Sequence, residues 1–400
     1  MPESRGTSGG RAASQVTLRQ HNLALTLHQV IDAPSPVSRA DIASATGLTR
    51  ATVSALVDRL LAAGMVVELE PKAAVRAGRP GVPLAAARGT YAGVGMEVNV
   101  DYLGVRAIDL GGRVLTERVE LGDFRGSDPE AVLGKLAALA GAVLALLSAD
   151  GVTIVGTALA LPGLVDTVTG PLRIAPNLGW QDVDVLRLLT AHPVLAAMPP
   201  SLANEANLAA RAEARVRRGS PSSFFYVSGE VGIGGAIVLN GQIFAGQHGW
   251  SGEIGHTVLG TTGSFGEGGT LEVYAGQDAI CDRAGLPRST PIAEIRALAE
   301  AGEPRVLAAV AVAGSALGAT LANVVHVVDI EHVVLGGICG DLAEFLREPV
   351  LEQLRRRVIT ARWAAVQISV AEAGQYPAMT GGALEVLSGL VEDPSPWVVQ

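Results

Sequence analysis

One pattern of short strands occurs twice in this 400-residue chain, and it restricts the fold more than any other feature. Tyr91 to Val100 and Leu103 to Leu110 read as strands, Gly111-Gly112 as a hairpin turn, and Arg113 to Leu121 as a third strand. An apolar helix follows from Pro129 to about Leu147, and then a strand from Val152 to Ala160. The second occurrence runs through Phe224 to Val227, Gly234 to Leu239, the turn Asn240-Gly241, and Gln242 to Phe244. Two such units, each followed by helices, predict a duplicated α/β fold with a cleft between two lobes. Clefts of this kind take small ligands.

A different grammar precedes the repeat. Residues 1–14 are rich in Gly and Ser and read as a disordered tail. Leu23, Leu27, Val30 and Ile31 recur at helical spacing in a first helix from Val16 to Ile31. Ser38 caps a short helix to Thr46 that Gly47 breaks. Thr49 caps a third helix in which Val53, Leu56, Val57, Leu60 and Leu61 form one buried stripe. Met65 to Leu69 and a return strand near Val82 to Leu84 frame a basic, turn-rich tip, Lys72 to Gly81. Together these predict a winged helix-turn-helix over residues 15–88, followed by a two-lobed domain over 89–400.

Charge divides the same way. Residues 1–90 carry a net +4 and residues 91–400 a net −13, so a small basic module suited to an anionic polymer precedes a large acidic one. With 48% hydrophobic and 17% charged residues the chain is neither disordered nor collagen-like. The N-terminus has no secretory-signal pattern and there are two cysteines, Cys281 and Cys339, so a cytoplasmic protein without disulfides is expected. Leu307 to Val328 carries no charge over a bilayer-spanning length, but Gly314, Ser315, Gly318, Thr320, Asn323 and His326 interrupt it. We read it as a small-residue-rich buried helix running into a strand and expect no membrane partner.

Six segments stand in a fixed order: Leu161-Pro-Gly163-Leu-Val-Asp166, Ala175-Pro-Asn177-Leu-Gly-Trp180, Ala203-Asn204-Glu205-Ala-Asn207, Gly229-Glu-Val-Gly-Ile-Gly-Gly235, Gly252-Glu253-Ile-Gly-His256 and Leu271-Glu272-Val-Tyr-Ala275. Their order resembles that of the ROK family, which joins repressors, uncharacterised reading frames and sugar kinases on an actin-like (ribonuclease H-like) two-lobed fold. The resemblance implies a sugar site formed by Asn204, Glu205, Glu253, His256 and Glu272, with Gly163 and Asn177 near it and the cleft near 204–205. The chemistry agrees, because a buried sugar hydroxyl left unpaired is costly and one carboxylate accepts from two adjacent hydroxyls.

The chain departs from the family's kinases in three places. Glu205 replaces the aspartate that serves them as general base. Gly95-Met-Glu97-Val-Asn99-Val-Asp101 stands where they have Gly-x-Asp-x-Gly-x-Thr, and Glu230 to Gly235 stands where they have Gly-Thr-Gly-Ile-Gly-Gly. A longer carboxylate misplaces the base, and acids beside a phosphate cradle repel triphosphate. The three cysteines of the family's zinc site fall here on Gly263, Phe265 and Thr270, so neither zinc nor another cofactor is expected.

The resulting expectation is a sugar-responsive transcriptional regulator without catalysis, a repressor whose operator affinity a carbohydrate changes. The alternative is an ATP-dependent carbohydrate kinase with a DNA-binding appendage. On DNA, Arg50, Ala51, Thr52, Ser54 and Arg59 would face the major groove, and Arg76 and Arg79 of the wing the minor groove. A homodimer or homotetramer on an inverted-repeat operator in double-stranded DNA follows from the family and from the two-fold geometry of such sites.

Overall fold

The computed structural model describes residues 8–70, 81–167, 170–218, 220–229, 232–260 and 269–398. The chain opens with helix α1 (Ser8–Ile31), strand β1 (Val37–Ser38), helices α2 (Arg39–Thr46) and α3 (Arg50–Ala62), and strands β2 (Val66–Glu68) and β3 (Pro83–Ala86). Ser38 and Asp41 form a reciprocal capping box at α2, and Thr49 caps α3 through the Thr52 amide. Strand β3 lies between β1 and β2, giving the three-stranded sheet of a winged helix. Helix α1 starts at Ser8, so it takes up part of the segment expected to be a tail. Arg11, Ala12 and Ala13 are strong helix formers and extend a helix whose nucleus is already packed.

The first lobe contains β4 (Tyr91–Val98), β5 (Tyr102–Asp109), β6 (Val114–Leu121), α4 (Pro129–Ala149) and β7 (Thr153–Leu161). A small sheet of β8 (Leu164–Val165), β9 (Leu172–Ala175) and β10 (Trp180–Val183) follows, then α5 (Val185–Thr190), α6 (Pro193–Ala196), β11 (Ser201–Asn204) and α7 (Glu205–Arg217). The second lobe contains β12 (Phe224–Gly229), β13 (Ile233–Leu239), β14 (Gln242–Phe244), β15 (Val258–Leu259) and β16 (Gly269–Thr270). Helices α8 (Leu271–Ala275), α9 (Gln277–Ala284), α10 (Ile292–Glu300) and α11 (Pro304–Val328) come next, then β17 (His332–Gly336), α12 (Gly337–Asp341), α13 (Ala343–Arg357), β18 (Gln367–Val370) and α14 (Pro377–Glu392).

The two main sheets share one topology, β11-β7-β4-β5-β6 in the first lobe and β14-β13-β12-β17-β18 in the second. In each, the first strand in sequence is central, antiparallel to the second and parallel to the fourth. This is the duplicated, actin-like arrangement that the repeated strand pattern predicts. Helix α11 is long and apolar enough to cross a membrane by length and composition, but its face from Val306 to Val325 is buried in the second-lobe core against α8, α9 and α13.

Helix α14 crosses back from the end of the second sheet to cover the first. A Cβ added at Gly95 of β4 would sit on the carbonyl of Met379, and one at Gly381 on the carbonyl of Leu208 in α7. Backbones of β4, α7 and α14 are therefore in direct contact. Buried Arg106 of β5 donates to Thr380 Oγ1 (2.6 Å) and to the Gln375 carbonyl (2.9 Å), fixing the start of the helix. Fully buried Glu213 of α7 accepts from the amides of Glu372 (2.8 Å) and Ala373 (2.9 Å) in the loop that leads into it.

The far end of α14 belongs to the winged helix. Leu387, Leu390 and Val391 share one core with Leu23, Leu27, Val30, Leu56 and Leu60, and Tyr91 meets the edge of Trp397. The connection between modules is thus wider than the covalent link at Arg88 to Tyr91. We predict that Gly381→Ala, which forces α7 and α14 apart, destabilises the protein by about 1–3 kcal/mol. In open space on the same helix, Gly389→Ala stabilises it by roughly 0.5–1 kcal/mol. Denaturant unfolding midpoints of the two variants test the contrast.

Candidate functional site

Four elements converge near the N-terminus of α7. Asn204 is its N-cap, with Oδ1 accepting from the amides of Ala206 (2.8 Å) and Asn207 (3.3 Å) and Nδ2 donating to the Gly163 carbonyl (3.0 Å). Its amide therefore holds the Leu161-Pro-Gly turn to the helix. Gly163 has φ +85° and lies against the backbone of Ile174, where no side chain fits. Glu205, the first helical residue, lines a cavity of about 590 Å³ together with Glu97, Ser228, Gly336, Gly337 and Asp341.

Glu253 and His256 come from the turn that follows the β13–β14 hairpin. A Cβ at Gly252 would sit on the Gly235 carbonyl and one at Gly255 on that of Ile233, so the glycines press this turn onto β13. Asn177, His256 and Glu272 line a second cavity of about 640 Å³. A Cβ at Gly232 would meet the Glu272 carboxylate and lie 3.5 Å from Asn177 Nδ2, which places the start of β13 over both. Burial raises the pKa of Glu253 above the ordinary 4.5, with nearby His256 opposing the shift and Glu272 adding to it. Burial likewise raises that of Glu272, opposed by His256 and reinforced by Asp278. The structure therefore brings Asn177, Glu253, His256 and Glu272 together, with Glu205 facing the neighbouring cavity and Asn204 working as a clamp. Thr270 immediately precedes α8, while Gly263 and Phe265 lie outside the described residues.

The loop from Glu97 to Asp101 is closed on itself. Asn99 is buried, its Oδ1 accepts from the Asp101 amide (3.2 Å), and its own amide donates to the Tyr102 carbonyl (2.9 Å). Glu97 is buried beside it. Glu230 lies outside the described residues. Gly337 packs where a Cβ would strike the Gly229 carbonyl, so Gly336-Gly337 closes the end of β17 tightly.

On the winged helix, Arg50 and Ala51 are exposed at the start of α3, and Thr52, Ser54 and Arg59 are half-buried along it. Arg76 and Arg79 lie outside the described residues. One residue the sequence did not single out is Arg39, which bonds both Asp58 (2.8 Å) and Glu68 (2.6 Å). It neutralises the acid on the outward face of α3 and ties that helix to the wing. Missed as well were Arg215 and Arg218 at the end of α7, which grip the end of α1. Arg215 donates to Asp32 (2.8 Å) and the Ile31 carbonyl (2.9 Å), and Arg218 to the Ala33 carbonyl (3.4 Å). Cations at a helix C-terminus are favourable, but sequence spacing does not tell which helix they will meet.

The ROK family pattern matches residues 130–388, and a MarR family pattern matches residues 15–76. The chain belongs to the ROK family, and a winged helix on a ROK domain makes it a DNA-binding transcriptional regulator. It is 27% identical to a xylose repressor of Caldicellulosiruptor bescii, over 94% of this chain and 98% of that protein. It is also 26% identical to a glucokinase of Halalkalibacterium halodurans, over 57% of this chain and 75% of the kinase. A solved ROK family transcriptional regulator, described as a homologue of the E. coli MLC protein, superimposes with a TM-score of 0.76 at 24% identity. That match covers 94% of this chain and 97% of the other and shows the shared fold.

The raised pKa values set a pH dependence. Sugar hydroxyls donate to ionised carboxylates, while the free protein holds its protons on Glu253 and Glu272 to higher pH than exposed glutamates do. A ligand whose hydroxyls bonded both carboxylates would therefore release protons on binding, with affinity falling as pH decreases, beginning above the ordinary glutamate value of 4.5. Calorimetric titration in buffers of different ionisation enthalpy reads that release directly.

Proposed function

We propose that this protein represses transcription by binding an inverted-repeat operator as a homo-oligomer, and that a neutral monosaccharide of the pentose or hexose class releases it. The sugar is held between the lobes by Asn177, Glu253, His256 and Glu272, with Glu205 at the inner edge and the Gly163–Asn204 clamp as support. Arg50, Ala51, Thr52, Ser54 and Arg59 face the major groove, and Arg76 and Arg79 extend from the wing.

The observation that carries this reading is the position of α7. One end presents Glu205 to the ligand region, and the other holds Ile31, Asp32 and Ala33 of the winged helix through Arg215 and Arg218. At 13 residues the helix spans about 20 Å. A rigid helix anchored at both ends transmits a change of lobe angle to the DNA-binding module, and the sugar acts by preferring one lobe angle over the other. The xylose repressor that the chain resembles over nearly its full length supports a pentose as the first sugar to try.

Phosphoryl transfer is not part of the proposal. In the loop Glu97 to Asp101, the Asn99 amide already donates to the Tyr102 carbonyl and the Asp101 amide to Asn99 Oδ1, so they are not available to a phosphate. The adjoining cavity is lined by three acids, Glu97, Glu205 and Asp341, against one cation, Arg296, a net negative balance that disfavours a triphosphate.

Two measurements test the proposal. Calorimetry with D-xylose, other neutral sugars and ATP·Mg²⁺ gives binding heat with sugar alone, including a site that Glu253→Gln and Glu272→Gln each remove. Fluorescence anisotropy on an operator selected from a random-sequence pool shows sugar weakening binding by about 5–150-fold. In the same assay Arg50→Ala costs roughly 1–3 kcal/mol of operator affinity. Sugar-dependent ATP turnover abolished by Glu205→Gln would establish the kinase instead.

A further inference from the structure

A third cavity, of about 450 Å³, opens beside α7 on a wall that the site above does not use. Its sides come from β11, from one face of α7, from Asp166, Thr167 and Gly170, and from Ile243, Ala245 and Gly249 of the second lobe. The lobes are tied together along its edge. The Thr167 amide donates to the His248 carbonyl (3.1 Å) and the Trp250 indole to the Val165 carbonyl (3.0 Å).

On the face of α7 that lines this cavity, two buried polar atoms lack a partner among the described residues, Asn207 Oδ1 and Arg211 Nε. Both residues line this cavity, and Asn207 is only 7% exposed. They stand four positions apart, one above the other on a single helix face. Native structures rarely leave such atoms unsatisfied without a ligand or an ordered water.

The chemistry of the pair selects the ligand. A hydroxyl group donates to the Asn207 carbonyl oxygen and accepts from Arg211 N–H, so one group satisfies both. An anion would satisfy Arg211 alone and would face Glu385 and Asp166. An ammonium would satisfy Asn207 alone. Glu385 already orients the wall, lying 3.5 Å from Arg211 Nη2 and accepting from Ser201 Oγ (3.4 Å). Leu186, Leu208 and Ile243 supply apolar surface for the C–H face of a ring. From the volume, the two orphaned atoms and this lining, we propose a second small-molecule site on Asn207 and Arg211 for a neutral polyhydroxylated ligand, a monosaccharide or polyol. Arg211 also lines the cavity of about 390 Å³ that α7 and α14 share with α1, so an occupant would bear on the winged helix as well.

The test uses the full-length Glu272→Gln variant, in which the first sugar site is disabled, titrated with D-xylose and xylitol. The expected result is one remaining site per chain, with affinity falling roughly tenfold or more when Asn207→Leu is added. Arg211→Gln, made separately, reproduces the loss, so the outcome does not depend on one variant folding. Wild-type protein then shows two sites per chain for the same ligand. The proposal is overturned if neither substitution changes the remaining binding. It is equally overturned if wild type binds neutral ligands only at a site lost with Glu272→Gln, which would leave this cavity to water, or if tartrate binds here and polyols do not. The absence of any wild-type sugar site that depends on Glu253 and Glu272 would contradict the functional reading but leave this site in place.

Discussion

Everything in this structure depends on the close packing of three backbones, β4, α7 and α14. Gly95 and Gly381 have no side chains at the two points where carbonyls of Met379 and Leu208 approach, and any Cβ would separate the layers. Packing interiors tolerate little change in volume, so the three elements move as one body. Helix α14 begins at Arg106 and Thr380 in the first lobe and ends in the core of the winged helix at Leu387, Leu390 and Val391. Helix α7 begins at the clamp of Asn204 on Gly163 and ends at Ile31 and Asp32 of α1. Helices α7 and α14 thus join the cleft between the lobes to the winged helix.

Electrostatics mark the two ends of that connection differently. At the inner end, burial raises the pKa of Glu253 and Glu272. At the outer end, His28 Nδ1 donates to Asp32 (3.3 Å), which raises the histidine pKa and lowers that of Asp32, helped by Arg215. This junction is half-exposed and polar, unlike the apolar seam between α1 and α14. A polar joint beside an apolar one can slide or pivot at lower cost than two apolar seams, because its groups exchange partners with water.

Much of the fold was legible from the sequence because its signals are local. Period-two alternation with Gly-Gly or Asn-Gly turns identifies both hairpins, and Ser38, Gly47 and Thr49 mark the helix ends of the winged helix. The motif residues Asn177, Glu253, His256 and Glu272, far apart in sequence, lie close together in the fold. What was not legible depends on which surfaces meet. Gly95 reads as part of a phosphate loop, yet in the fold it receives α14, and nothing in its neighbours announces a helix from residues 377–392. Asn204 reads as a sugar ligand, yet both ends of its amide are already bonded. Arg215 and Arg218 read as a solvated helix end, because their partners lie more than 180 residues away. The spacing of Asn207, Arg211 and Arg215 does show one polar face on α7, but not that this face borders a cavity.

The central claim is that one conformational equilibrium links the cleft to the winged helix, and thermodynamic reciprocity tests it most directly. Sugar affinity should be measured by calorimetry with and without saturating operator DNA, and compared with the change that sugar produces in operator affinity. The account predicts equal factors, with operator weakening the sugar as much as the sugar weakens the operator. Sugar affinity unchanged by operator would show that the cleft and the DNA-binding module are energetically independent, and would contradict it.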